Sequence, residues 1–272
     1  CLLMSEEHHP FTEEFLERLI SRGVDVEWCN AHSAEADFES LFSPEQQYDA
    51  VILVLPQAAE PDAWKMDQKE FSSRLHRVTY PMFTFGKHFA RWVMEKKQND
   101  VFTGIVQFGG GMFGREGTAA SSADFSCGAG FLKSLFLELQ LPSACVIDLA
   151  PEIASHVAAT TVLTEFQQAS GFVEVGYTGD TTRRVPVMKL LEFQTPTRTV
   201  LGKDDVLLVS GGGRGIGAEC AFAIAKEYGC KVALLGRTAL DHGSESPASR
   251  EIHATIARLA AAGVTQTTTV MG

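Results

Sequence analysis

The residues of this chain best suited to chemistry lie between Val206 and Cys220, in the run VLLVSGGGRGIGAEC. Val206 to Val209 reads as a short buried strand, and a turn follows with glycine at five of the seven positions from 211 to 217. Ala218 to Tyr228 then reads as a helix. A strand, a glycine turn and a helix N-terminus together make an anion site, because unpaired backbone N–H groups and the positive end of the helix dipole face the turn. Glycine is needed where a Cβ would hold a pyrophosphate away from the backbone. Beyond the helix, Lys231 to Leu235 is a second apolar strand that runs into Gly236-Arg237-Thr238. In such a βαβ unit the group ending the second strand meets the adenosine ribose. An acid there bonds a free 2′-hydroxyl, whereas an arginine accommodates a 2′-phosphate. Arg237 therefore argues for NADPH over NADH, held by Ser210, Gly211, Gly212, Gly213, Arg214, Gly215, Ile216 and Gly217. Arg214 has two readings: a second cation toward the 2′-phosphate, or an exposed loop arginine. S-adenosylmethionine sites use the same strand, turn and helix. They generally carry acids at the two strand ends, where this chain has Val209-Ser210 and Gly236-Arg237, and the mismatch argues against that ligand.

The elements around this site follow from hydrophobic patterning. At 272 residues the chain has room for one large or two ordinary domains, and its 45% apolar and 21% charged content is that of a globular protein. A formal net charge of −11 disfavours nucleic acid or an anionic membrane as partner. The six cysteines show neither C-x-x-C nor a zinc-ligand spacing and read as buried, reduced thiols of a cytoplasmic protein. No run approaches transmembrane length and no signal peptide is visible. The opening run Cys1-Leu2-Leu3-Met4 is strand-like and looks cut from something longer.

After it come His8 and His9, expected to be solvated in a loop, and a helix from Phe11 to Arg22 with Thr12 as cap and Gly23 as stop. A strand is expected at Val24–Trp28, and the continuous apolar run Ala50–Leu55 suits a buried parallel strand. A helix starting near Lys69 meets Pro81, which either kinks it or begins a new one. Met82, Phe85, Phe89, Trp92 and Val93 form its apolar stripe, read as core, and Lys96 and Lys97 suit its end. The strand Val101–Phe108 enters a second glycine turn, Gly109 to Gly114. The next helix is expected only from about Asp124 to Leu139, so no helix N-terminus opens on these glycines and the turn reads as structural. A strand Ala144–Leu149, a helix from about Pro151 to Gln168, and antiparallel strands Phe172–Tyr177 and Arg184–Phe193 complete the first 193 residues. Gln194 to Lys203 is the linker candidate. The second unit adds a loop Leu240–Ala248, a helix Arg250–Ala262 and a strand Val264–Val270. The fold class is α/β, with two doubly wound units and no phosphate loop after the first strand of the first.

Ser210-Gly211-x-x-x-Gly215-x-Gly217 matches the nucleotide fingerprint of short-chain dehydrogenases/reductases. Together with Phe108–Gly114 (FGGGMFG), Gly128–Glu138, Val146-Ile147-Asp148-Leu149 and Val173–Met188, the layout resembles the ketoreductase region of type I polyketide synthases. Val206 to Thr238 is closer still to ketoreductases of polyunsaturated fatty-acid synthases. The resemblance spans essentially the whole chain. It implies two Rossmann-like units: a truncated, cofactor-free structural subdomain (1–193) and the N-terminal half of an NADPH-binding catalytic subdomain (204–272), incomplete at its C-terminus. It implies hydride transfer from NADPH to a β-ketoacyl group on the phosphopantetheine of an acyl carrier protein. It also implies neighbouring synthase domains and a homodimeric parent.

In that family Ser bonds the carbonyl oxygen, Tyr protonates the alkoxide, and Lys, four residues after Tyr, lowers the Tyr pKa. Here Ile52, Thr84, Thr181 and Val232 stand four residues after Tyr48, Tyr80, Tyr177 and Tyr228, so no catalytic residue is assigned. The family's adenine-contacting Asp after the third strand is also not matched, since Val270 leads to Met271-Gly272. By this reading the chain reduces nothing alone and binds NADPH more weakly than micromolar. The rival expectation is a catalytically inactive, ketoreductase-like scaffold that docks neighbouring domains.

Overall fold

A computed structural model of the chain describes residues 1–57, 66–96, 100–115, 126–192, 201–237 and 246–270. It divides into two compact units, Cys1–Lys189 and Leu190–Gly272. The linker expected at 194–203 lies mostly outside the described residues.

The first unit runs β1 (Leu2–Ser5), α1 (Pro10–Ser21), β2 (Glu27–Asn30), α2 (Glu35–Leu41), β3 (Ala50–Val54), α3 (Gln68–Lys96), β4 (Phe102–Gln107), α4 (Gly128–Leu139), β5 (Ser143–Leu149), α5 (Ser155–Gln168), β6 (Gly171–Tyr177) and β7 (Arg183–Arg184). Its sheet has the order β2-β1-β3-β4-β5-β6-β7. Every neighbouring pair is parallel except β6 with β7. The chain moves outward from β1 to β2, then returns to β3 on the other side of β1. The switch point, where such sheets place ligands, is therefore between β1 and β3.

Strand alternation divides the core in two. Leu2, Met4, Val51 and Leu53 face one side with Phe85, Phe89 and Trp92 of α3 and Leu132 of α4. Leu3, Ile52 and Val54 face the other with Phe11 and Phe15 of α1 and Phe166 of α5. The apolar stripe read from the sequence on α3 is core, as expected.

α3 opens on a reciprocal cap: Glu70 N donates to Asp67 Oδ1 at 2.8 Å, and Asp67 N donates to Glu70 Oε2 at 3.1 Å. It is one helix through Pro81, which is buried and forgoes the hydrogen bond an N–H would give. Other elements differ from their expected bounds. β2 begins at Glu27 rather than Val24, and α2 forms in the polar stretch between the strands expected at Val24–Trp28 and Ala50–Leu55. α5 begins at Ser155, not Pro151. The second hairpin arm pairs only through Arg183 and Arg184, opposite Tyr177 and Gly176. The α1 cap is His9, while Thr12 is buried inside the helix.

The second unit runs β8 (Val206–Ser210), α6 (Gly215–Tyr228), β9 (Lys231–Gly236), α7 (Pro247–Ala261) and β10 (Gln266–Val270), with a parallel sheet in the order β10-β9-β8. Ala221, Ala225, Val232, Leu234 and Leu259 form its core. β8, expected to be buried, is covered on one face only, and Val206 and Leu208 are exposed. α6 ends at Gly229 in the left-handed region, φ 69°, a glycine C-cap. α7 begins three residues before the expected Arg250, because Ser246 caps it by accepting from Ser249 N at 3.1 Å and Pro247 presets its first turn. Arg258 of α7 holds both carboxylate oxygens of Glu219 on α6 and lies over the Phe222 ring at 3.9 Å, tying the two helices together.

Candidate nucleotide site

Ser210 is the last residue of β8 and pairs with Leu235 on β9. Gly211 N donates to Leu235 O at 2.8 Å. Both strands therefore finish on the same side, and this register places the turn Gly211–Arg214 and, just past β9, Arg237 at one edge of the sheet. Unlike the second glycine turn, this one feeds a helix directly: α6 starts at Gly215, three residues earlier than the expected Ala218. Arg214 is its N-cap, extended at φ −156° and ψ 169°, with no side-chain cap bond. The first bond back along the helix runs from Ala218 N to Arg214 O at 3.4 Å. The N–H groups of Gly215, Ile216 and Gly217 precede it and have no helical acceptor.

Two glycines are set by geometry. Gly215 sits at φ 58°, where a side chain would strain the backbone, and a Cβ on Gly217 would lie 2.6 Å from Gly211 O. The turn is thus folded upon itself, with Gly211 N and Gly212 N spent on Leu235 O and Val209 O, and the helix-end amides of Ile216 and Gly217 are left for a ligand, which fits a pyrophosphate pressed against backbone. Gly217→Val is expected to force the turn open and abolish dinucleotide binding while the first unit melts as before. Calorimetric titration and a thermal melt read the two effects. Arg214 and Arg237 are exposed, and neither has an ion-pair partner among the described residues. Thr238 lies outside the described residues.

Sequence reasoning missed one participant. Glu251, on α7, accepts a hydrogen bond from Gly215 N at 3.0 Å through Oε1. Ser246-Pro247, an N-cap followed by proline, was the available signal that α7 starts early enough to bring Glu251 within its first turns.

The first unit has the same strand-loop-helix layout with other residues in the loop. Glu6 to His9 joins β1 to α1, as Gly211 to Arg214 joins β8 to α6. The loop has two carboxylates and no glycine. Arg77 of α3 grips Glu6 through Nε at 2.5 Å and Nη2 at 2.6 Å, and His32 Nε2 lies 3.5 Å from Oε1. Burial alone would raise the Glu6 carboxyl, but hydrogen bonding and charge from His32 and Arg77 outweigh it and hold the pKa at about 2. Because this is below the ordinary 4.5, the pair's stabilisation is present above pH 4.5 and lost as pH falls toward 2. With Arg77 half exposed, roughly 1–3 kcal/mol is at stake after screening. Glu6→Gln is expected to remove that part of the acid-induced loss, read from urea melts between those pH values.

His9, expected to be solvated, is buried against Phe108 with ring centroids 5.0 Å apart, and neither ring nitrogen has a hydrogen-bond partner among the described residues. Burial pulls its pKa below the usual value. His8 is exposed, as expected.

The second glycine turn is structural for a reason not visible in its own residues. Its amides already hold an anion. Asp148, at the end of β5 and 0% exposed, accepts from Gly109 N at 2.6 Å and Phe113 N at 2.7 Å. Gln107 Nε2 donates to the same carboxylate at 3.3 Å. Gly111 and Gly176 pack backbone to backbone, and a Cβ on Gly111 would stand 2.1 Å from Tyr177 O.

Among the described residues no helix is long and apolar enough to cross a membrane, and no group of three or more His, Cys, Asp or Glu is arranged to hold a metal. Cys29, Cys145 and Cys230 are buried, but Cys220, expected to be, is exposed on α6.

The fold is Rossmann-like α/β, and solved structures similar to it include ketoreductases of polyketide-synthase and related modules and a short-chain dehydrogenase. No protein-family model matches the chain, and no curated protein does. One similar structure is the adenylation, ketoreductase and pseudo-Asub assembly of a keto acid-selecting NRPS module. The TM-score is 0.67 at 12% identity, covering 99% of this chain and 24% of that one. The A-type ketoreductase structure from a modular polyketide synthase gives a TM-score of 0.54 at 19% identity over 99% of this chain and 54% of the other. A short-chain dehydrogenase from Burkholderia cenocepacia J2315, in complex with NADP, gives 0.50 at 13% identity over 64% of this chain and 87% of its own. At these identities the likeness is one of fold. The chain spans about half the length of the polyketide synthase ketoreductase and a quarter of the NRPS module.

Proposed function

We propose that this chain is the first part of an NADPH-dependent ketoreductase region of a type I polyketide or polyunsaturated fatty-acid synthase. Residues 1–193 form its structural subdomain, 194–203 the linker and 204–272 the first half of the nucleotide-binding subdomain. The observation that carries the reading is the Ser210–Gly217 turn, closed on itself at Gly217, opening onto the N-terminus of α6, and ending on the same sheet edge as Arg237. The N–H groups of Ile216 and Gly217 receive the pyrophosphate. Arg237 takes the 2′-phosphate, with Arg214 as a second cation. The bound dinucleotide supplies the hydride. This chain's residues bind and orient it, and the acidic loop Glu6–His9 keeps the first unit free of nucleotide.

In the whole protein the substrate is a β-ketoacyl group on the phosphopantetheine of an acyl carrier protein, and the product is the β-hydroxyacyl group. Neighbouring synthase domains and a homodimeric, cytoplasmic parent complete the reading. The test is to follow the reading frame past Gly272 and assay the full-length protein with a carrier-bound β-ketoacyl substrate. NADPH consumption with formation of the β-hydroxyacyl carrier is expected. NADPH binding without consumption would leave the inactive scaffold in its place.

A further inference from the structure

Among the described residues, each of the two glycine-rich turns has a carboxylate from elsewhere in the chain seated on backbone amide, and the two seats differ in one respect. Asp148 on the Gly109–Phe113 turn is 0% exposed and held through both oxygens. Glu251 on the N-terminus of α6 is exposed and held through one, by Gly215 N at 3.0 Å. The first arrangement is locked. The second can be undone by rotating one solvated side chain.

Glu251 reaches this place because the start of α7 is docked on the glycine turn. Ile252 is buried, and a Cβ built on Gly213 would lie 3.1 Å from its Cγ1. The residue before Ile252 is thereby carried to the end of α6. Arg214 offers that helix no side-chain cap, so the carboxylate from α7 supplies the acceptor from outside.

We infer that Glu251 is an internal competitor for the cofactor's phosphate at the α6 N-terminus, setting how tightly the turn holds its ligand. The inference rests on the nucleotide reading proposed above. An incoming pyrophosphate needs the same positive helix end, at the Ile216 and Gly217 amides next to the one Glu251 holds. Two anions a few ångströms apart in a solvated site repel one another. The dinucleotide therefore binds against the displacement of Glu251, and its release is assisted by the return of that side chain. The acid spares the empty turn an unpaired N–H and lowers affinity for the ligand.

The test titrates NADPH into the 272-residue chain and its Glu251→Gln and Glu251→Ala variants at low salt, with circular dichroism to verify the fold. Gln keeps the acceptor oxygen and the length of the side chain but not the charge. Both variants are expected to bind NADPH about three- to tenfold more tightly than the wild type, with the gain shrinking as salt rises. Wild-type binding that is matched or weakened in both folded variants would overturn the inference and leave Glu251 as a cap alone. If neither the wild type nor the variants bind NADPH, the nucleotide reading itself fails, and this inference with it.

Discussion

Asp148→Ala is expected to lower the melting temperature of the first unit by about 10 °C or more. The carboxylate is fully buried at the end of β5 and is the acceptor for the Gly109 and Phe113 amides. Truncation leaves the buried Gly109 N–H and the part-buried Phe113 N–H without their acceptor, at roughly 1–3 kcal/mol each, and opens a small void. A total of about 3–5 kcal/mol moves the midpoint of a domain of this size by about 2–4 °C per kcal/mol. A shift within the error of the melt would show that the turn holds its shape without the acid.

The same group predicts a pH signature. Burial pushes the Asp148 carboxyl up to about 6 from the ordinary 3.8, against the opposing pull of the amide hydrogen bonds. The folded chain thus keeps the proton better than the unfolded chain does. The contribution is fully present below pH 3.8 and lost as pH rises through 6. Roughly 1–3 kcal/mol of stability should therefore disappear between pH 4 and 7. Asp148→Asn, which never ionises, should be destabilised overall but lack this slope. The Glu6 contribution is lost as pH falls below 4.5 and this one as pH rises through 6, so the opposite slopes of urea melts across pH resolve the two.

Arg237→Ala is expected to weaken NADPH binding by about ten- to a hundredfold and to leave NADH binding unchanged, the size of one charge-assisted contact to a phosphate. The argument is positional. β9 ends beside the turn through the Ser210–Leu235 register, and Arg237 follows with its side chain exposed and no ion-pair partner among the described residues. Arg214→Ala should give a smaller loss with the same selectivity. Both are read as the ratio of NADPH to NADH dissociation constants. An equal loss for both nucleotides would mean that Arg237 supports the turn and does not recognise the 2′-phosphate.

What could be read in advance was local. From Val206 to Arg237 each residue obeys a rule that its immediate neighbours supply: an apolar strand, a glycine turn, a helix, a second strand, a cation at its end. The continuous apolar runs Leu2–Met4 and Val51–Val54 likewise announce strands covered on both faces. What could not be read depends on partners far away in the chain. Asp148 stands out as an acid within an apolar strand, but its amide partners are 39 and 35 residues away. Glu6 meets Arg77 across 71 residues, and Gly215 meets Glu251 across 36. His9 looked like half of a solvated pair because its burial is decided by Phe108 on a strand distant in sequence. α2, seven residues in a polar stretch, has too few turns to show a periodicity; Phe38 alone anchors it.

The most direct test of the central claim is a pair of calorimetric titrations of the wild-type chain, one with NADPH and one with NADH. The account predicts saturable NADPH binding, at least about tenfold tighter than NADH because of the 2′-phosphate contact. It also predicts that Gly217→Val abolishes this binding. Equal affinity for the two nucleotides, or NADPH binding that survives Gly217→Val, would contradict it.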